Sequence, residues 1–167
     1  MPDSTLIYSI LIGIALICIL FYFYRSPKPA TSNQKPETAK SVPLQLQAYE
    51  RLILLVDRIT IPNLISRTNH NGLSARDMQL VLTRSIREEF EYNITQQIYI
   101  TPETWNAVKN LKEKNLLIIN QVASILPPNA TGLDLNRSLL EFLMTDNKAN
   151  LHELVSEALS YEAKKLL

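Results

Sequence analysis

An uncharged run near the amino terminus constrains this chain more than any other feature. Residues 6–24 read LIYSILIGIALICILFYFY and hold no charged side chain over 19 positions. A helix rises about 1.5 Å per residue, so this run is long enough to cross a hydrocarbon core of about 30 Å. It ends in four aromatic residues followed by Arg25, as expected where a span meets lipid headgroups. The run predicts a transmembrane anchor over residues 1–25, with Leu6–Tyr24 in the lipid bilayer.

Three other interpretations of the run are weaker. A cleaved signal peptide needs a basic segment before a short apolar core, but only Asp3 is charged before this long run. A lipidated cysteine needs a small residue before it, and the bulky Ile17 precedes Cys18. A helix buried in a globular domain rarely runs this far without a polar face.

Basic residues after the run predict its orientation. Arg25, Lys28 and Lys35 follow the run closely, and no basic residue precedes it. Because positively charged flanks stay in the cytoplasm, we expect the amino terminus outside and the carboxyl-terminal part in the cytoplasm.

The next segment, residues 26–43, has the composition of a tether. It contains four prolines and no aromatic residue, so it cannot bury a core and is expected to be extended and flexible. This leaves residues 44–167 as a soluble domain with 13 basic and 14 acidic side chains. A near-neutral domain without a basic block argues against nucleic-acid binding.

Apolar periodicity predicts that the domain is all-α, a bundle of about five helices with no strand. In the second helix, an apolar stripe recurs every four residues (Met78, Leu82, Ile86, Phe90, Ile94) after a capping signature at Ser74 and Asp77. Thr101 before Pro102 predicts another helix start. The other predicted helices cover Leu44–Ile59, Pro102–Leu126, Asp134–Met144 and Leu151–Leu166.

The side chains that carry most enzyme chemistry do not form recognisable motifs here. His70 and His152 lack metal-ligand spacing, and Gly72 and Gly132 lie too far apart for a phosphate-binding loop. The acidic cluster Glu88, Glu89 and Glu91 is typical of a solvated helix face. We therefore predict no catalytic, cofactor-binding or metal-binding residue, and no enzyme activity.

The first helix of the domain has two explanations. Leu52 to Val56 are five successive apolar residues, which point around more than half of a helix. Either this helix is central and buried on all sides, or one flank meets a second copy of the chain. In the second case Ile53 and Leu54 are the candidate residues for homo-oligomerisation.

Polar and aromatic residues gather around the end of the second helix. Tyrosine, tryptophan and arginine are favoured binding anchors, so the stretch is a candidate partner-binding patch. The alternative is that its amides cap exposed carbonyls and lock the junction between helices. The candidate residues are Arg87, Asn93, Gln96, Gln97, Tyr99 and Trp105.

The same stretch resembles a family. The similarity rests on IREEFEYN at residues 86–93, QQIYI at 96–100, a nearby tryptophan, and NATGLD at 129–134. These segments resemble an uncharacterised family of small single-span membrane proteins from the Bacteroidota with a cytoplasmic helical domain. The resemblance implies placement in the bacterial inner membrane and no particular activity.

Together these features predict a membrane-anchored cytoplasmic interaction module, an adaptor or scaffold with an unidentified protein partner. One alternative is an enzyme or small-ligand-binding domain with a pocket between helices. Another is a structural accessory subunit of an inner-membrane complex. A deep cavity with convergent polar groups favours the ligand-binding alternative.

Overall fold

The computed structural model describes residues 37–68, 72–145 and 151–167, with side chains from residue 41 onward. Residues 39–167 form one compact unit. Within the described ranges there are six α-helices and one short 3-10 helix at Ile94–Ile98. The α-helices are α1 Glu37–Arg58, α2 Ile61–Arg67, α3 Ala75–Tyr92, α4 Pro102–Ile125, α5 Gly132–Thr145 and α6 Leu151–Lys164.

The all-α prediction is confirmed for this part of the chain. Ser74 and Thr131 form an isolated antiparallel β-bridge, which is too short to be a strand. None of the helices in the described ranges is long and apolar enough to cross a membrane. The predicted anchor, Leu6–Tyr24, lies outside those ranges and stays a prediction.

The predicted boundary between tether and domain lies too late in the sequence. Helix α1 begins at Glu37, so residues 37–43 are helical and not extended. The backbone φ of proline is compatible with a helix. Inside a helix, however, Pro43 removes one backbone hydrogen bond and its ring clashes with the carbonyl four residues earlier. The seven residues continue directly into the buried part of α1, and we attribute their helical state to that continuity. Residues 26–36 lie outside the described ranges.

The core is built by regularly spaced apolar residues on α1, α3 and α4, together with buried residues of α5 and α6. On α3 the predicted spacing of four is confirmed from Met78 to Phe90. The stripe fails at Ile94, which is 44% exposed, because α3 ends at Tyr92 and the 3-10 helix changes the register. The side chains with at most 1% exposure include Leu52, Leu55, Leu82, Ile86, Ile119, Leu135, Leu139 and Leu159.

The two predicted helix starts are confirmed. Ser74 Oγ accepts a hydrogen bond from the Asp77 amide at 3.1 Å, and Thr101 Oγ1 accepts one from the Thr104 amide at 3.3 Å. Each satisfies a backbone donor that the first turn of a helix leaves unpaired.

The starts of α3 and α5 are joined to each other. The Ala75 amide donates to the Ala130 carbonyl at 2.9 Å, and the Gly132 amide donates to the Leu73 carbonyl at 2.8 Å. A Cβ on Gly132 would lie 3.1 Å from the Met78 Cβ and 3.3 Å from the Leu73 carbonyl oxygen, so a larger residue here would need its neighbours to shift by a few tenths of an ångström.

Candidate functional site

The predicted partner-binding patch is divided by the fold. Trp105 is 8% exposed and stacks on Phe90, with ring centroids 5.0 Å apart. Asn93 is 6% exposed, and its Nδ2 donates to the Glu89 carbonyl at 2.9 Å. Trp105 therefore packs in the interior, and Asn93 caps the end of α3. Both roles agree with the alternative that these residues lock the junction between helices.

The other four patch residues reach the surface at separate places. Arg87 lines a depression beside Lys112, whereas Tyr99 lines another beside Tyr49. Gln97 is exposed and Gln96 is half-buried. The six predicted residues therefore do not surround one cavity, and a partner-binding role for the four surface residues stays a prediction.

A different surface brings functional groups together. A groove of about 680 Å³ lies between the carboxyl-terminal half of α1, the end of α2 and the carboxyl-terminal half of α3. We call it the arginine groove. Its lining residues are Arg51, Leu54, Leu55, Arg58, Arg67, Thr68, Ser85, Glu88, Glu89, Tyr92 and Asn93.

Glu89 is the centre of the polar side of the arginine groove. Its Oε1 accepts hydrogen bonds from Arg58 Nε at 2.8 Å and from Arg58 Nη2. Arg67 Nη1 donates to the same oxygen at 3.2 Å, and Arg67 Nη2 donates to the Arg58 carbonyl at 2.7 Å. This cluster ties α1, α2 and α3 together through one carboxylate.

The two guanidinium groups also set the charge of the cluster. Hydrogen bonds from Arg58, and then from Arg67, hold the pKa of Glu89 below its ordinary value despite partial burial. The same contact raises the pKa of Arg58. With Glu89 ionised, the groove carries three arginines and two glutamates, and so has one excess positive charge.

Apolar side chains lie beside this charge. Leu54 is 56% exposed and Tyr92 is 76% exposed, and both line the arginine groove. Leu55 lies beneath them at 1% exposure. Tyrosine and arginine are enriched where proteins bind other proteins.

Comparison with known proteins places the chain in a family. A family model matches residues 4–166, which is nearly the whole chain. The chain belongs to DUF7935, a family of unknown function. The predicted resemblance to an uncharacterised family is confirmed at that level, while the membrane span and the bacterial source stay predictions. Comparisons with curated proteins and with solved structures gave no match.

The sequence of this DUF7935 chain predicts that the acidic cluster on α3, Glu88, Glu89 and Glu91, lies on a solvated helix face. The prediction of a solvated face is wrong for Glu89, whose side chain is 19% exposed and pairs with residues 31 and 22 positions away. Spacing along α3 contains no signal for these partners, since they lie on other helices. Sequence patterns therefore identified the helix but missed the site.

The structure excludes one of the two explanations for the first helix of this DUF7935 chain. Ile53 is half-buried and packs against the core, but Leu54 is 56% exposed. A helix buried on all sides is therefore wrong. The exposed apolar flank is real, and homo-oligomerisation through it stays a prediction.

The predicted lack of a metal site concerns two histidines. His70 lies outside the described residues. His152 lines a crevice of about 150 Å³ with Lys114 and Asn115. In the part of the chain with described side chains, no group of three histidine, cysteine or acidic residues could hold a metal ion.

Proposed function

We propose that this DUF7935 chain is a membrane-anchored helical interaction module, and that the arginine groove is where its protein partner binds. The observation that carries this proposal is the exposure of Leu54 and Tyr92 in one groove. Exposed apolar surface costs free energy in water, and an apolar patch with a polar rim usually marks an interaction site.

The arrangement of the arginines supports the same proposal. Arg58 and Arg67 are held by Glu89 and by a backbone carbonyl, so their side chains are already ordered. Binding then loses less side-chain entropy than it would with free arginines. An ordered arginine beside an exposed aromatic ring is typical of the residues that dominate binding energy.

The groove offers less to a small ligand than to a protein. Its volume is within the range of ligand pockets, about 300–1,000 Å³. However, Arg58 and Arg67 use part of their N–H donors in hydrogen bonds to Glu89 and do not direct all of them into the cavity. Leu54 and Tyr92 also leave most of their surface in water. A ligand pocket normally encloses its apolar walls, so a protein surface is the better fit.

Membrane anchoring is the second half of the proposal. The uncharged run at residues 6–24 and the basic residues after it support a single span with the helical unit in the cytoplasm. Fusions to the carboxyl terminus test this topology. A cytoplasm-active fluorescent protein is expected to be bright and alkaline phosphatase inactive, and the reverse result would overturn the predicted orientation.

Site-specific photo-crosslinking tests the partner site. A benzoylphenylalanine replaces Tyr92 in the full-length chain in its host cells, and Leu80 serves as the control position. Leu80 lies on the same helix, is 56% exposed and does not line the groove. We expect a discrete protein adduct from position 92 only.

The adduct must also depend on the groove. Leu54→Asn is expected to reduce it several-fold, and Leu80→Asn to leave it unchanged. Absence of an adduct from position 92, or an equal adduct from position 80, contradicts the proposed function. An adduct of twice the chain mass would identify a second copy as the partner, as predicted for Ile53 and Leu54.

A further inference from the structure

We infer that the arginine groove selects an acidic amphipathic segment, whose carboxylates meet Arg51, Arg58 and Arg67 while its apolar side chains cover Leu54 and Tyr92. This inference rests on the proposed function, because it names the chemistry of the partner that the groove binds. It is carried by the charge of the groove and by the arrangement of charges on α1.

The exposed surface of α1 has two edges of opposite charge. Arg51 and Arg58 are seven residues apart, two helical turns, and both line the arginine groove. Glu50 and Asp57 repeat at the same interval, but they are not among the lining residues. Leu54 lies between the two edges, so a segment that covers Leu54 from the groove side meets the basic edge.

The arginines of the groove have donors to spare. A guanidinium carries five N–H donors, and Arg58 uses Nε and Nη2 on Glu89. Arg67 divides its two Nη atoms between Glu89 and a carbonyl. Two guanidiniums thus share one carboxylate oxygen, and a second carboxylate can bind without displacing the first.

Arg51 adds a charge that the fold does not use. It is exposed and forms no ion pair within the described residues. Glu88 on the opposite wall offsets part of the positive charge, which leaves an excess of one. That excess favours an acidic segment over a neutral or basic one through attraction and a faster approach.

Other occupants are separable by experiment. A second copy of the chain would bring the α1 surface around Leu54, with the basic Arg51 and Arg58 and the acidic Glu50 and Asp57, and so offers no net charge preference. An anionic lipid headgroup would use the arginines without needing Leu54. A crosslinked adduct of twice the chain mass would reveal the second copy, and the peptide test below would reveal the lipid headgroup. Either result would overturn the inference.

The test uses the full-length chain in a mild non-ionic detergent and two fluorescein-labelled peptides. The peptides are amphipathic helices with the same leucines, one with glutamates and one with glutamines on the polar face. Fluorescence anisotropy is expected to show at least about tenfold tighter binding of the glutamate peptide, since about 1.4 kcal/mol is a factor of ten. Raising the salt concentration should reduce that preference.

Paired variants place the binding site. Arg51→Gln is expected to weaken the glutamate peptide about threefold, while Arg76→Gln, which removes an equal charge outside the groove, leaves it unchanged. Leu54→Asn should weaken binding, and Leu80→Asn should not.

Several results overturn the inference. Equal affinity for the two peptides, no measurable binding of either, or equal effects of Arg51→Gln and Arg76→Gln would each do so. Displacement of the glutamate peptide by short-chain phosphatidylglycerol with no effect of Leu54→Asn would assign the arginines to lipid. If the photo-crosslink from position 92 persists while the peptides bind equally, only the acidic preference fails. If that crosslink is absent, the proposed function itself fails.

Discussion

Leu52 and Leu54 lie two positions apart on α1 and have opposite environments. Leu52 is fully buried, whereas Leu54 is 56% exposed and lines the arginine groove. Two steps along a helix turn the side chain by about 200°, so the same residue type points into the core in one case and toward water in the other. The comparison shows that one helix serves folding on one face and, in our proposal, binding on the other.

The largest expected effect separates these two faces. Leu52→Ala should destabilise the fold by about 3–4 kcal/mol, because it removes buried methyl groups and leaves a cavity. Leu54→Ala should change the free energy of unfolding by less than about 0.5 kcal/mol, as for other exposed positions. Urea unfolding in mild detergent measures both, with the fluorescence of the single tryptophan, Trp105. Comparable losses would show that the exposed face also carries folding energy.

A smaller effect is expected where α4 supports the end of α1. Asn115 is 7% exposed, and its Nδ2 donates to the Ile59 carbonyl at 2.8 Å. Asn115→Ala leaves that carbonyl unpaired and should cost about 2 kcal/mol. Asn120→Ala is the control, because its hydrogen bond with Gln79 is exposed and should matter by less than about 0.5 kcal/mol. Equal effects in the two unfolding curves would contradict this assignment.

The Glu89 cluster lines the arginine groove and is expected to contribute less than the buried contacts. Glu89→Gln should cost about 1 kcal/mol near neutral pH, because the arginine partners are partly exposed and solvent weakens the pair. The pKa of Glu89 is lower in the folded protein than its ordinary 4.5. The ionised carboxylate therefore stabilises the fold above the unfolded pKa, and this stabilisation is lost as pH falls through the folded pKa.

That sign gives a direct pH test. The stability difference between the wild type and Glu89→Gln should be constant from about pH 7 to about pH 5 and shrink as the pH falls below the ordinary carboxyl pKa of 4.5. Unfolding curves at several pH values measure it. A difference that grows on acidification would mean that Glu89 is held protonated, and the charge assigned to the groove would be wrong.

The smallest of these stability effects concerns a helix start far from the groove. Thr101→Ala removes the acceptor for the Thr104 amide and should cost about 1 kcal/mol or slightly less, with no change in peptide binding. Thr101→Ser keeps the acceptor and is the matched control. A loss of binding in Thr101→Ala would show that the groove depends on the whole fold and not on its own residues.

Local signals predicted much of the fold. Ser74 and Thr101 begin helices because a side-chain oxygen beside unpaired amides is a local arrangement that sequence alone specifies. The stripe from Met78 to Phe90 follows from the period of a single helix. Ile94 departs from it because the helix ends two residues earlier, and the sequence signal for that end was too weak to find.

The candidate site was less accessible to prediction. The pairing of Glu89 with Arg58 and Arg67 depends on how three helices pack, and no spacing within one helix encodes it. Glu89 looked like its neighbours Glu88 and Glu91 in an acidic run. Trp105 is the opposite case, a candidate binding residue that lies in the core. A tryptophan is common both in binding sites and in cores, and the stacking of Trp105 on Phe90 places it in the core.

The most direct measurement combines the photo-crosslinker at position 92 with two matched substitutions, Leu54→Asn and Leu80→Asn. Both leucines are 56% exposed on helices, so both variants should unfold at nearly the same urea concentration as the parent chain. We expect Leu54→Asn to reduce the partner adduct several-fold and Leu80→Asn to leave it intact. An adduct that survives Leu54→Asn, or that both variants reduce equally, would contradict a partner site in the arginine groove.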